Sequence, residues 1–464
     1  MKIRLEIISL LLFLTPLLSK GQTLHSFLED DSVKRQLLLN ESLVKKEAAI
    51  NGAGKTYAED YKRIYKDQFT EIEKFWKSAS PVTEKLSYEY LQKLVDKLAS
   101  AEPALKGLDL RVVFSRDWWP NAVSMGDGTL ALNAGLVYYM QSEAELVFVL
   151  GHEIAHYYLK HTPEAIRKIV ETVNSDAFKA ELKRIKAQEY GVNREFEKFV
   201  KQLTFNTRRH GRDKESQADA FAIDLMIKAG YDPGAARQTL LLLDKVDDTL
   251  FLDPSGAMVE KVFNLPDYAF KKRWTQKESV IFGEMTEEVD VKVKKEEDSL
   301  KTHPDCMVRI SQLEPLLAKY PGNGKTFLVD SVYFHQLHHD LYYEIMEGCY
   351  RNDQLGRNLY YALLLLGKEQ DNKTAIYTIV RAWNDVYLNQ KVHKLGLKVD
   401  TEDKTYPSTY NNLLRMIGRI KLDEILALNT AFCKKYYEQM KDIPAFKTEL
   451  KRLYEFKKES DLNK

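Results

Sequence analysis

The chain has 464 residues, with 69 basic and 68 acidic side chains, a formal net charge of +1, and 44% apolar residues. That length accommodates two or three domains with their own buried cores, and so even a charge balance removes the electrostatic basis for binding nucleic acid. Cys306, Cys349 and Cys433 stand far apart without metal-type spacing and allow at most one disulfide, so they say little about redox compartment.

At the N-terminus, Lys2 and Arg4 precede an apolar run from Ile7 to Leu18, interrupted by Pro16 and closed by Ser19-Lys20-Gly21. The run is short of the roughly 20 apolar residues a bilayer-spanning helix needs. It has the basic start, apolar middle and small-residue end of a signal peptide over residues 1–21, cut after Gly21. Retention as an uncleaved anchor is the alternative. The chain is thus expected to be exported, periplasmic or associated with the cell envelope, and soluble or peripheral. Loss of Lys2, Arg4, Lys20 and Glu6 with that segment leaves one more acidic than basic side chain.

Residues 22–82 read as an N-terminal segment of polar helices with aromatic anchors at Tyr61, Tyr65, Phe69 and Phe75. A further helix is predicted over Thr83 to Ala101, with Leu86, Leu91, Leu94 and Leu98 on its apolar side. Leu110 to Phe114 is strand-like, and Trp118-Trp119-Pro120 leads into Asn121-Ala122, a Gly126-Asp127-Gly128 turn, and Leu130 to Leu136.

Next comes His152-Glu153-Ile154-Ala155-His156 inside an apolar helical run. On a helix the two histidines share one face and can grip a single ion, and Glu153 can reach a water beside it without being a ligand. Ser142-Glu143-Ala144-Glu145 reads as a capping box at the start of this helix, and Pro163 is expected to set its downstream limit. The competing reading is a pair of ordinary core histidines.

A zinc site for hydrolysis needs a third protein ligand. The metzincin pattern is excluded, because Leu159 and Thr162 occupy its glycine and histidine positions and His161 is one residue out of register. Glu215, in Arg212-Asp213-Lys214-Glu215-Ser216-Gln217-Ala218-Asp219, is the better candidate. It lies four residues before Asp219 on a second predicted helix that ends at Gly230. Asp219 is placed to accept a hydrogen bond from a ligand histidine. Taken alone, Glu215 reads equally as a solvated carboxylate on a helix face.

Between these blocks, Glu164 to Phe205 is helical and basic, a solvated hairpin or a lid over the cleft. Asp247 to Leu300 reads as a long insertion with Pro254, Pro266 and a charged run from Glu287 to Asp298, expected to hold mobile loops that gate the site. From Gly322 on, consecutive helices are predicted over Val332–Tyr350, Gln354–Leu366, Lys373–Tyr387, Thr409–Ile420, Asp423–Met440 and Ala445–Lys458. Tyr360, Tyr361, Tyr377, Trp383 and Tyr387 suggest stacked, repeat-like hairpins, although the tetratricopeptide signature is absent. His335-Gln336-Leu337-His338-His339 imitates the metal motif with glutamine in place of the base, and reads as a helix surface with a decoy spacing.

Four blocks, in order, make the chain resemble the gluzincin metallopeptidase family that includes the prenyl-protein proteases, the HtpX membrane proteases and the periplasmic BepA-like proteases. They are Asn121 to Leu136, Glu145 to His156, Arg212 to Asp219 with Ala229-Gly230-Tyr231-Asp232-Pro233, and Thr302-His303-Pro304 with Arg309 and Ile310. The departures are Asp127 between the strand-pair glycines and the long charged stretch before the fourth block. The resemblance implies His152, His156 and Glu215 as ligands of one Zn2+, and Glu153 as general base and acid. It implies His303 as a stabiliser of the oxyanion with Arg309 holding that loop, and Asn121 on the strand where substrate docks. The expected fold is α+β and predominantly helical. A zincin-type core over residues 83–321 would hold a small sheet beside the active-site helix, followed by an all-helical domain over residues 322–464. The expected function is a zinc endopeptidase acting on unfolded or extended proteins of the cell envelope, with an outer-membrane assembly partner on the C-terminal helices. A zinc-bound, chaperone-like adaptor with weak or blocked proteolysis is the alternative.

Overall fold

A computed structural model describes residues 23–52, 56–187, 213–246, 257–277, 306–320, 322, 324–403 and 406–462. The expected signal peptide, His303, the second half of the basic stretch after Glu164 and most of the insertion after Asp247 lie outside the described residues.

Two helices of equal length, α1 (Ser32–Asn51) and α2 (Ala58–Lys77), pack together as a hairpin. Leu38, Leu39, Phe69, Ile72 and Trp76 form a small core with Val113 of the sheet. Trp76 is only 1% exposed, and burying so large a side chain contributes on the order of 2–3 kcal/mol. In α3 (Lys85–Ala101), Leu91, Leu94 and Leu98 are fully buried as the periodicity requires. Leu86 is 58% exposed instead, because it lies on the flank of the buried stripe, which the neighbouring Ser87 enters in its place.

The sheet contains β1 (Pro81–Val82), β2 (Arg111–Ser115), β3 (Ala122–Ser124) and β4 (Thr129–Asn133) in the order β1-β2-β4-β3. β2 and β4 run parallel, and β3 returns antiparallel with Ala122 opposite Leu132. The β3–β4 hairpin closes through Gly126-Asp127-Gly128, with both glycines at φ +88°. A Cβ on Gly128 would lie 2.3 Å from the Asp109 carbonyl oxygen, so only glycine fits there. Asp127, a departure from the family pattern, is an anchor. Its buried carboxylate accepts from Ser42 Oγ at 2.6 Å and from Arg111 at 2.7 Å, fastening α1 to the turn.

The remaining helices follow in chain order. They are α4 (Ala134–Val137), α5 (Glu143–Tyr158), α6 (His161–Asn174), α7 (Asp176–Lys186), α8 (213–229), α9 (Ala235–Val246), α10 (Met258–Phe263) and α11 (Cys306–Leu317). Then come α12 (Ser331–Arg351), α13 (Leu355–Lys368), α14 (Lys373–Lys391), α15 (Ser408–Arg419), α16 (Leu422–Met440) and α17 (Pro444–Leu462). The molecule is predominantly helical α+β. One continuous apolar core runs from the sheet and α5 into the C-terminal helices, where α14 packs on α13, α16 and α17.

Two buried carboxylates join the halves. Glu143, in the first turn of α5, is fully buried and accepts from the Leu328, Val329 and Asp330 amides at 2.7, 3.0 and 2.7 Å. The Tyr90 hydroxyl donates to it at 3.1 Å. Glu344 of α12 accepts from Arg116 Nε at 2.5 Å and from the Leu28 amide at 2.6 Å. Arg116 also donates to Asp30 and to the Leu28, Ala79 and Pro81 carbonyls, so the segment before α1 threads between the sheet and α12. No helix of the described residues is long and apolar enough to cross a membrane.

Candidate active site

The site is built on α5, whose residues from Glu143 to Ala155 are all buried. Ser142 caps it, its Oγ accepting from the Glu145 amide at 3.3 Å. The expected capping box is half formed, since the Glu145 carboxylate accepts from the Gln141 amide rather than from that of Ser142. The helix ends at Tyr158, before the proline. Lys160 adopts φ +57°, α6 begins at His161, and Pro163 sits in the first turn of α6, where its missing N–H costs nothing.

α8 crosses beside α5 at Gly151, where an added Cβ would sit 3.1 Å from Ala222 Cα. The close approach brings Glu215 and Asp219 against the two histidines. His152 Nε2 and His156 Nε2 are 3.0 Å apart, and the Glu215 oxygens lie 3.5 Å from the first and 3.3 Å from the second. One ligand atom from each of these three residues falls within 4.8 Å of the others.

On its other nitrogen, His152 meets Asp219 Oδ1 at 2.8 Å. An Nδ1–H donated to that carboxylate leaves Nε2 as a bare acceptor in the neutral ring. Asp219 is in turn gripped by Arg309 of α11, whose Nε and terminal nitrogen donate at 2.7 and 2.6 Å. Arg309 also stands 3.3 Å from Glu215, tying α11 to both carboxylates.

Electrostatics follow from this crowding. Burial disfavours charge on His152, Glu215 and Asp219, and the contacts overrule it. For His152, burial pulls the imidazolium down, but Asp219 and Glu215 raise it to about 10. Burial likewise opposes ionisation of Glu215 and Asp219, yet His152, His156 and Arg309 hold Glu215 far below the carboxylate range, and His152 and Arg309 lower Asp219. Glu215 Oε2 is buried without a hydrogen-bond partner. Two imidazole nitrogens and a carboxylate oxygen converging on one point need a cation among them, either a proton, as the raised His152 reflects, or a metal ion. The two Glu215 spacings match the edges of about 3.3–3.5 Å that follow from zinc bonds of about 2.0–2.2 Å, and the 3.0 Å between the imidazole nitrogens is slightly shorter. The donor set therefore fits a divalent metal.

Glu153, 5% exposed, lines a small cavity with Ala122, Leu136, Phe148 and Arg309. Asn121 precedes β3, the edge strand nearest α5, and its carbonyl accepts from the Asn133 amide at 3.0 Å. His161 is the residue the sequence argument passed over. Weighed only as a ligand, it was set aside for its register, whereas its Nδ1 lies 2.9 Å from His156 Nδ1. Burial, then His156 and Lys214, push it down to about 4, so its ring is neutral and can accept from His156. The signal that could have found it is the five-residue step from His156, which returns the ring to the same face through the turn at Lys160.

The model of peptidase family M48 matches residues 85–316, from the start of α3 into the last turn of α11. A Vibrio cholerae protein named as a beta-barrel assembly-enhancing protease is 29% identical over 191 residues, covering 40% of this chain and 38% of that one. The mitochondrial metalloendopeptidase OMA1 of Arabidopsis thaliana is 24% identical over 226 residues, 47% of this chain and 44% of its own length. The chain thus spans less than half the length of these relatives. The family match covers half of the chain, and with a metal-type donor set inside it the chain belongs to peptidase family M48, a family of metalloproteases.

Proposed function

We propose that the chain is a zinc-dependent endopeptidase of the gluzincin type, hydrolysing peptide bonds in extended or misfolded proteins of the cell envelope. The observation that carries this reading is the convergence of His152, His156 and Glu215 on one point, with Glu153 on the adjoining turn face. Zinc held by those three residues supplies Lewis acidity to water and to a peptide carbonyl. Glu153 takes the proton of the attacking water and hands it to the leaving amine, a transfer worth typically 10²–10⁴-fold. Asp219 and His161 hold the two imidazoles in the tautomer that turns Nε2 inward. His303, proposed from sequence, stabilises the oxyanion. Substrate adds as a strand along β3 beside Asn121, which selects extended chain over folded protein. An exported location, and an outer-membrane assembly partner on the C-terminal helices, are part of the same proposal.

The adaptor reading has one observation in its favour, a cavity of only about 10 Å³ beside Glu153. Incubation with an unfolded protein separates the two. The protease reading expects cleavage that a chelator abolishes and added zinc restores. Absence of cleavage from zinc-loaded protein would favour the adaptor.

A further inference from the structure

A second group of metal-ligating side chains stands outside the catalytic site. His25, His339 and Asp340 each bring one ligand atom to within 4.8 Å of the others. They come from separate parts of the chain, His25 from the extended segment before α1, the other two from the middle of α12.

His25 is fixed on several sides. Its amide donates to Thr374 Oγ1 at 2.7 Å, and its ring lies flat on Tyr343 with centroids 4.0 Å apart and planes 9° from parallel. Three residues on, the Leu28 amide is bound to Glu344. Yet His25 Nε2 is buried without a hydrogen-bond partner, 3.9 Å from Asp340 Oδ1. Asp340 is oriented by the Gln336 amide at 3.0 and 3.1 Å, and His339 Nδ1 stands 3.3 Å from its Oδ1.

Stacking on Tyr343 accounts for where the His25 ring lies, but not for a buried imidazole nitrogen left facing a carboxylate at more than hydrogen-bond distance. We propose that His25, His339 and Asp340 form a second divalent transition-metal site, of the zinc class, that clips the N-terminal segment onto α12. Two imidazoles and a carboxylate are donors suited to such ions. The 3.9 Å between His25 Nε2 and Asp340 Oδ1 is wider than a closed zinc site. His339, with 59% of its side chain exposed, closes it by changing rotamer. A cavity of about 500 Å³ is lined by His25 and His339, with Thr23, Glu369 and Lys373, which leaves room for water or Glu369 to complete the coordination. Binding there couples metal occupancy to the docking of residues 23–31, since the ligands meet only when that segment is in place.

The test titrates the full chain with zinc chloride and counts bound zinc by competition with a chromogenic chelator. Two equivalents are expected, the second weaker. His25→Phe, which keeps an aromatic ring on Tyr343, and His339→Ala should each weaken the second at least tenfold. The first equivalent, cleavage of unfolded protein and metal-free thermal unfolding should stay unchanged. No second equivalent in the unaltered chain, or a second equivalent of unchanged affinity in both variants, overturns the proposal. The first equivalent is read separately, so failure here leaves the catalytic reading standing.

Discussion

The chain twice sets histidines on a helix at short spacing, in α5 and in α12, and the two runs have different fates. In α5, His152 and His156 turn inward onto carboxylates delivered by α8, and Arg309 from α11 locks those carboxylates. In α12, the comparable run scatters. His335 sits against Phe327 and Phe334, His338 stacks on Tyr138 at 5.2 Å, and His339 faces solvent beside Asp340. Helical spacing thus aims two rings in one direction, and only a second element crossing at the right height turns them into a donor set. What α12 lacks is a helix like α8. Its nearest substitute is the single His25 of an extended segment.

The comparison breaks most readily at Glu153. Glu153→Gln should lower cleavage of unfolded protein about 10³-fold or more while bound zinc is retained, because the amide cannot accept the proton and no ligand is lost. Full activity in that variant would remove the catalytic distinction between the two runs. Next is Glu143→Ala, which strips three backbone amides and the Tyr90 hydroxyl of their buried acceptor. A loss of about 3–5 kcal/mol in denaturant unfolding is expected, and a loss below about 1 kcal/mol would show that water replaces the carboxylate.

Smaller effects sharpen the contrast. Asp219→Asn should weaken zinc at the catalytic site 10–100-fold by chelator competition, as loss of a ligand-orienting carboxylate typically does. His161→Ala should weaken it about tenfold, with partial rescue by His161→Asn, whose amide oxygen can accept from His156. Equal affinity in His161→Ala would make that ring mere packing. The least is a pH effect far from either run. Burial opposes ionisation of Glu424, but Lys271, the Lys421 amide, Arg273 and Trp274 hold its pKa down to about 2. A depressed carboxylate adds stability above its unfolded pKa, and that stability is lost as pH falls from about 4.5 toward 2. Glu424→Gln should flatten this acid loss by roughly 1–2 kcal/mol.

Much of the fold was legible because its signals are local. The six C-terminal helices were readable to within a few residues from apolar periodicity alone, and Gly230 at φ +85° marks the end of α8 as anticipated. Leu86 defied its pattern because it sits at the edge of the buried stripe, where a small serine and not the leucine meets the core. The break at Lys160 was hidden for a similar reason, since a lone positive-φ lysine leaves no compositional trace whereas Pro163 does. In the site, Glu215 and Asp219 were found from their spacing to each other. His161 was not, because its value lies in a contact formed across a turn. Glu143 was read only as part of a cap, although its larger task is to bind amides nearly two hundred residues away.

The contact between Gly151 and Ala222 acts as a gauge block between two helices. Ala222 lies two turns along α8 from Glu215, so the gap it sets is transmitted to the carboxylate almost undiminished. A few tenths of an ångström of spreading, as a single methyl on Gly151 would force, moves Glu215 by a comparable amount. An ion bound at about 2.0–2.2 Å tolerates little of that, whereas calcium, at about 2.3–2.6 Å with six to eight oxygens, wants a roomier and less nitrogenous nest. The choice of metal is thus partly written one residue before the first ligand, in the smallest side chain on the helix.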